Sequence, residues 1–416
     1  MKNKHRTWFY ISNKPQYRIE SAIMRSSRDF WLFALTLASA ASALVSIAAA
    51  ETLLALAFLG WLLFRPGRII WPSYTLPLCA FMATTVISLA MSPQPELGVA
   101  SVRKFVLFAM AFLAANFVTS TSRARLSYRV LLAVSAGASI LALVQFTNAY
   151  IKFRITHDLA DDPTVLTRMT GFMGHWITFS AEQLLVWCAA IPALMILSRR
   201  WVAPAAVTGS ALVLSFTRSV WLGAVAGLLA VAINLPRRIL IGAALPVGLV
   251  AVGASGLIQH RVMMSFQEQA FAPDAGRIAL LSGGLQMIRD HPLFGVGPER
   301  IHSEFPRYYS GTDLARANFY YGHLENNIVQ IGAERGLLCL AAFFWFIFEL
   351  YASLVAMLRT TGESTRWIVL SALAALTGFM VAGLFEYNFG DSEVLLLFLF
   401  IVSIPYGLRT GEAADV

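Results

Sequence analysis

The chain of 416 residues is poor in charge, because Asp, Glu, Lys and Arg make up only 13% of it while 57% of its residues are hydrophobic. In an average soluble domain about a quarter of the residues are charged. This composition excludes an ordinary soluble enzyme and indicates an integral membrane protein.

Cysteine is scarce, and several catalytic motifs are missing. Cys79, Cys188 and Cys339 lie within or beside apolar runs without CxxC spacing, which is typical of buried side chains and of neither disulfides nor a metal site. No Walker, DxD or HExxH motif is present, so we expect no ATP-driven transport, no metal ion and no cofactor. A GxSxG segment is also missing, although the sequence leaves a Ser-His-Asp triad open.

Apolar segments occupy most of the chain. About 20 apolar residues cross the ~30 Å hydrocarbon core, and shorter helices can cross it when they pack inside a bundle. The sequence predicts an all-α membrane protein of about twelve transmembrane helices with one long, partly helical external loop between spans 9 and 10. The predicted spans are 30–48, 51–64, 72–91, 98–118, 130–149, 176–197, 202–215, 219–235, 239–257, 333–358, 367–386 and 393–408.

The net charge of +9 comes from basic clusters between the apolar runs, for example Arg199 with Arg200 and Arg237 with Arg238. Basic clusters in every second loop are typical of cytoplasmic loops, and this distribution argues against nucleic-acid binding. We therefore predict a basic cytoplasmic tail at 1–28, spans at 29–258, an external loop at 259–332, further spans at 333–408 and a cytoplasmic tail at 409–416.

The long loop is the main polar segment of the chain. Within it, Gly276 to Asp290 has apolar residues at helical spacing, and Pro292 predicts that the helix ends before it. Arg277 opens this helix, while Arg289 and Arg300 flank the segment DHPLFGVGPER. A group of guanidinium forks favours an anionic ligand over the alternative, which is side chains reaching for the membrane interface.

His323, Asn326, Asn327 and Gln330 follow one another at helical spacing near the start of span 10. We expect them to share one face of a helix, where the histidine can act as a general base and the amides can hold a sugar. The alternative is hydrogen bonding between helices or a solvated helix end.

Further basic residues lie near the predicted external ends of spans. Arg218 lies in a short turn between two spans, where a charge is costly unless it is paired. Arg103, Lys104, Lys152 and Arg154 could bind a diphosphate, and phospholipid headgroups explain these four residues almost as well. For two other polar groups, His175 to Glu182 and Glu386 to Asp391, structural pairing is the favoured interpretation.

The order of these motifs resembles the O-antigen ligase and O-antigen polymerase superfamily. The resemblance rests on the TRS turn at Thr217 to Ser219, the arginine that opens the loop helix, DHPLFGVGPER, and a histidine followed by asparagines. It covers roughly Arg199 to Leu350 in motif and the whole chain in architecture. In the family the histidine is usually followed at once by Asn or Ser, whereas Leu324 and Glu325 intervene here.

The resemblance implies a GT-C-like, metal-independent, inverting glycosyltransferase at the periplasmic face of a Gram-negative inner membrane. Such ligases move a glycan from undecaprenyl diphosphate to a lipid A-core sugar. His323 matches the histidine expected to activate the acceptor, and Arg218 and Arg277 match the arginines expected to hold the diphosphate. Arg103, Lys104, Arg154, Arg289, Arg300, Asn326 and Asn327 are the further candidate substrate-binding residues.

We rank O-antigen ligase first. An O-antigen polymerase and a protein O-oligosaccharyltransferase are alternatives within the same class. A transporter of lipid-linked sugars is the alternative from another class, but transporters usually place ionisable residues near the membrane midplane. Here the polar residues gather on one side.

Overall fold

A computed structural model describes residues 15–64, 69–156, 168–260, 262–263, 277–308 and 322–408. The ends of both predicted tails, 1–14 and 409–416, lie outside the described residues. So do Gly276 and the other residues at 264–276 and 309–321 of the long loop.

The described residues are helical and contain no strand, which confirms the all-α class. Besides short 3₁₀ turns, the helices are α1 (Pro15–Ala43), α2 (Ile47–Phe64), α3 (Thr75–Met91), α4 (Pro95–Arg103), α5 (Ala109–Phe117), α6 (Thr121–Thr156), α7 (Trp176–Ala193), α8 (Val202–Leu214), α9 (Arg218–Ala232), α10 (Arg237–Gly253), α11 (Arg277–Asp290), α12 (Ile301–Tyr308), α13 (Asn327–Thr360), α14 (Glu363–Ala382) and α15 (Ser392–Leu408).

Each predicted span overlaps one or more of these helices. Within the described residues, five helical segments are long and apolar enough to cross a membrane, and they are Ile47–Phe64, Pro95–Phe117, Thr121–Ile155, Asn327–Thr360 and Glu363–Ala382. Several such helices indicate a multi-pass membrane protein. The number twelve, the course of the loop and the cytoplasmic or external side of each loop stay predictions.

Helices α14 and α15 form the centre of the bundle, because their side chains are buried on nearly every side. Helix α9 crosses α14 closely at two glycines. A Cβ atom at Gly223 would lie 2.6 Å from the Gly378 carbonyl oxygen, and one at Gly227 would lie 2.5 Å from the Ala374 carbonyl oxygen. Because the two contacts run in opposite chain directions, the helices are antiparallel. The start of α9 therefore meets the end of α14.

Helix α11 crosses the first turns of α13 in the parallel direction. Gly284 lies against Val329, and Gly332 lies against Ile288. Glycine at both crossings lets the backbones approach closely. The parallel arrangement brings the first residue of α11 beside the segment that precedes α13.

The segment between α11 and α12 is bound to a break in α13. Gly336 has the non-helical angles φ 81° and ψ 174°, and the amides of Val296 and Gly297 donate to the carbonyls of Ala333 and Glu334 at 2.9 Å each. The amide of Leu337 donates to Pro292 at 2.7 Å. The turn thus supplies hydrogen-bond partners to backbone groups at the break, which a continuous helix would have paired within itself.

Two sequence predictions about helix bounds had different outcomes. Helix α11 ends at Asp290, as Pro292 predicted. The predicted helical face from His323 to Gln330 is wrong, because α13 begins only at Asn327. The Asn326 side chain accepts hydrogen bonds from the amides of Ile328 and Val329, so it acts as the N-cap and leaves His323 outside the helix.

Candidate functional site

Three distant chain segments meet at the guanidinium of Arg277. Its Nε donates to Glu325 Oε2 at 3.2 Å, and its Nη2 donates to Glu386 Oε1 at 3.2 Å. Glu325 lies just before α13, and Glu386 follows α14. The two close helix crossings described above produce this meeting, since each brings one helix end to the same place.

Glu386 connects this arginine to the start of α9. Its Oε1 also accepts a hydrogen bond from Ser219 Oγ at 3.2 Å. Burial, and secondarily the nearby Glu325, raise the pKa of Glu386 to about 7, while Arg277 and the Ser219 hydrogen bond act in the opposite direction. The protonation state of this carboxyl group therefore changes near neutral pH.

Arg218 and Arg277 occupy the first position of α9 and α11 respectively. A helix N-terminus carries a partial positive charge, so basic residues there are unfavourable for helix stability. Thr217 makes no side-chain cap hydrogen bond to α9. Each of the two helix starts combines an arginine with backbone N–H groups, an arrangement that attracts anions.

His323 is exposed and lies two residues before Glu325. Its ring contacts Tyr387 edge to face, with centroids 6.2 Å apart. Burial lowers the pKa of His175, Asp391 and Glu325 raise it, and His323 lowers it further. The two imidazoles are therefore close enough to interact electrostatically.

The backbone beside the site adopts unusual angles. Glu325 has φ 47° and Phe216, two residues before Arg218, has φ 51°. Non-glycine residues seldom adopt positive φ, and such residues tend to cluster at functional sites. Glu325 directly precedes Asn326, and Phe216 is separated from Arg218 by one residue.

A comparison with known families matches part of the chain. A model of the O-antigen ligase family matches residues 203–344. These residues form an O-antigen ligase family domain. The domain contains Arg218, Arg277, His323 and Glu325, while Glu386 lies beyond its end. A search of curated proteins finds no match to the chain.

The O-antigen ligase domain suggests a class of activity. It indicates a glycosyltransferase-like enzyme of the ligase or polymerase type. It also indicates lipid-linked glycan substrates and a membrane setting. Both statements agree with the apolar helices around the site.

The two asparagines predicted to bind substrate have structural partners in the O-antigen ligase domain. Asn326 caps α13 and donates from Nδ2 to the Leu384 carbonyl at 2.8 Å. Asn327 is buried and donates to Asn388 Oδ1 at 2.6 Å. Both bonds tie the start of α13 to the segment that carries Glu386.

The other predicted substrate-binding residues are more scattered. Arg300 is buried and binds Glu304 and the Val296 carbonyl, and Lys104 donates to the Gly390 carbonyl at 2.8 Å. Arg103, Arg154 and Arg289 are exposed. None of the described contacts brings these five to Arg277, and their roles stay predictions.

The sequence interpretation missed the acidic residues of the site. Glu325 was noted only as a departure from the family pattern, and Glu386 only as part of a structural polar group. A buried carboxyl group beside an arginine is recognisable only when residues far apart in sequence come together. Within the described residues, no group of three or more His, Cys, Asp or Glu side chains could hold a metal ion.

Proposed function

We propose that this protein is an O-antigen ligase. It transfers a glycan from undecaprenyl diphosphate to a lipid A-core sugar at the periplasmic face of a Gram-negative inner membrane, with inversion and without a metal ion. His323 activates the acceptor hydroxyl. Arg218 and Arg277 hold the diphosphate of the donor.

The observation that carries this proposal is the contact of Arg277 with both Glu325 and Glu386. Through Glu325 the arginine lies near His323, and through Glu386 and Ser219 it lies near Arg218. One hydrogen-bonded cluster thus connects the neighbourhoods of all three predicted catalytic residues.

The chemistry requires a base and a group that stabilises negative charge. The acceptor oxygen attacks the anomeric carbon on the face opposite the diphosphate, and its proton passes to His323. The bond between the anomeric carbon and the phosphate oxygen breaks, and undecaprenyl diphosphate leaves. Fixed arginines stabilise the charge that grows on this leaving group.

Glu325 and Glu386 hold Arg277 in position before the donor arrives. Like the carboxylates, a diphosphate carries anionic oxygen atoms. These oxygens can accept hydrogen bonds from the forked guanidinium group. The side chain of Glu325 is the more exposed of the two, so a phosphate oxygen replaces it first, while the buried Glu386 keeps the fork oriented.

The test is an assay of the purified full chain with undecaprenyl diphosphate-linked glycan, lipid A-core and EDTA. Capped lipopolysaccharide supports the proposal. Lengthened carrier-linked glycan would identify a polymerase, and a glycosylated Ser or Thr peptide would identify a protein O-oligosaccharyltransferase. Movement of intact donor across vesicles without any transfer would identify a transporter.

A matched pair of variants connects the assay to the site. Arg277→Ala should remove transfer, whereas Arg359→Ala, at the far end of α13, should leave it unchanged. Equal loss in both variants would contradict the assigned site.

A further inference from the structure

Helix α11 has an apolar face that no described part of the protein covers. Ile278, Leu281 and Leu285 lie on one side of the helix and are 61%, 43% and 53% exposed. Arg289 follows on the same side, one turn after Leu285. A helix that faced water would carry polar residues here.

The opposite side of α11 already forms its contact with the protein. Leu280, Gly283 and Met287 are buried there, against a small core that includes Phe305 and Val329. Ile278, Leu281 and Leu285 therefore take no part in the apolar contact that holds α11 against the protein. Their exposure requires a partner of another kind.

The apolar face of α11 lies beside a row of exposed apolar residues on α13. Leu293, just after α11, is exposed, and so are Leu337 and Leu338 on α13. The hydrogen bond from the Leu337 amide to the Pro292 carbonyl holds these two stretches together. Further exposed apolar residues, such as Phe344 and Phe348, follow along α13.

The length of α13 gives the depth of this junction. Beyond the break at Gly336 its last 24 residues, 337–360, extend about 36 Å at 1.5 Å per residue, which is enough to cross a hydrocarbon core ~30 Å thick. The first ten residues, 327–336, are almost all enclosed by protein, and exposed apolar side chains begin at Leu337. Helix α11 packs against those first ten residues, which precede the part of α13 that is long enough to cross a membrane.

We propose that α11 is an interfacial helix that docks on the lipid bilayer. Ile278, Leu281 and Leu285 insert at the boundary between headgroups and acyl chains, and Arg289 contacts anionic headgroups. This inference does not rest on the proposed reaction. It has one consequence for the site, because Arg277 then lies at the depth where the phosphates of a membrane lipid lie.

Single-cysteine labelling of the full chain in vesicles tests this directly. The background variant is Cys79→Ser, since Cys188 and Cys339 are buried. An environment-sensitive fluorophore is attached at Leu281→Cys or Leu285→Cys. The matched control is Gln286→Cys, which is exposed beside Leu285 but off the apolar face.

Vesicles of phosphatidylcholine with phosphatidylglycerol carry a quencher on the acyl chains, or iodide is added to the water. We expect acyl-chain quenching at Leu281 and Leu285 to exceed that at Gln286 by about twofold or more, with the reverse order for iodide. Iodide quenching equal at all three positions would overturn the proposal. Protection from both quenchers would also overturn it, because the face would then be covered by protein.

A second measurement tests the role of charge. Arg289→Gln should reduce the gain in acyl-chain quenching at Leu285→Cys when phosphatidylglycerol replaces part of the phosphatidylcholine. A gain that is unchanged by this substitution would remove the anionic-lipid contact from the proposal. Glycan transfer is not needed for either readout, so loss of activity leaves both results interpretable.

Discussion

Arg277 and Arg300 belong to the same loop and are held in opposite ways. The side chain of Arg277 is 40% exposed and shared between two carboxylates from distant segments. That of Arg300 is 9% exposed and bound to Glu304 and the Val296 carbonyl of its own segment. An arginine with an accessible partner can exchange it for a ligand, whereas a buried arginine bound within its own segment maintains the fold.

The two surroundings differ in the backbone as well. The turn near Arg300 is bonded on several sides to the break in α13 at Gly336. Near Arg277 the bonds are mostly between side chains. Mutations near Arg300 are therefore expected to lower the stability of the protein, and mutations near Arg277 to lower its activity.

The largest effect is expected for His323→Ala in the region near Arg277. Removing a general base lowers the rate by about 10²–10⁴-fold. Transfer by the purified variant should fall by that range while its thermal unfolding stays near wild type. His291→Ala, which changes another exposed histidine of the loop, is the control and should retain activity.

A direct comparison of the two arginines comes next. Arg277→Ala should lower transfer by about 10²–10³-fold with little change in thermal unfolding. Arg300→Ala should instead destabilise the loop by about 3 kcal/mol, because it removes one of the two arginine partners of the buried Glu304 carboxylate. Unfolding curves and initial rates on both variants would separate the roles.

A second substitution that restores stability tests the structural role of Arg300 further. Adding Glu304→Leu to Arg300→Met should restore much of the lost stability, since an apolar pair avoids the buried charge. An Arg300→Ala variant that unfolds like wild type but transfers no glycan would instead favour the substrate-binding role predicted from the sequence.

A smaller effect is expected from pH. Because the pKa of Glu386 is raised to about 7, the carboxyl group is mostly ionised at pH 8 and mostly neutral at pH 6. Neutralisation removes negative charge beside Arg277, so undecaprenyl diphosphate should bind more tightly at pH 6, by about threefold to tenfold.

Glu386→Gln is the control for this pH effect. It keeps a hydrogen-bonding side chain without the titration, and only the pH dependence of the ligand itself remains. Binding curves at the two pH values should differ less for this variant than for wild type. Equal pH dependence in both proteins would rule out Glu386 as the titrating group.

The smallest effect is expected at the cap of α13. Asn326→Ala removes the acceptor for two amides and should lower stability by about 1 kcal/mol. Asn326→Asp keeps the capping oxygen and should recover most of this loss, as measured by thermal unfolding. If Asp restores stability but transfer stays low, the amide also serves the substrate.

Local features were predictable from the sequence to different degrees. The end of α11 follows from one proline, because proline restricts the residue before it. The start of α13 did not follow from spacing, since the N-cap role of Asn326 and the positive φ of Glu325 interrupt an otherwise continuous helical pattern. Periodicity alone does not detect such a cap.

The candidate site was predictable in part. Arg218, Arg277 and His323 were recognised from motifs, but the partners of Arg277 lie 48 and 109 residues away along the chain. Their pairing depends on how α9, α11, α13 and α14 cross. Those crossings are set by glycine contacts whose partners a single sequence does not reveal.

The break at Gly336 has a consequence for how two lipid-borne reactants could be handled. Because the turn at 292–297 is hydrogen-bonded to residues on both sides of this break, the turn and this part of α13 are expected to move as one unit. Substrates can diffuse sideways in the bilayer while the spacing between Arg277 and His323, the residues proposed to bind donor and acceptor, stays constant. A fixed spacing of this kind would let an enzyme select its two substrates by how far their reacting groups extend from the bilayer.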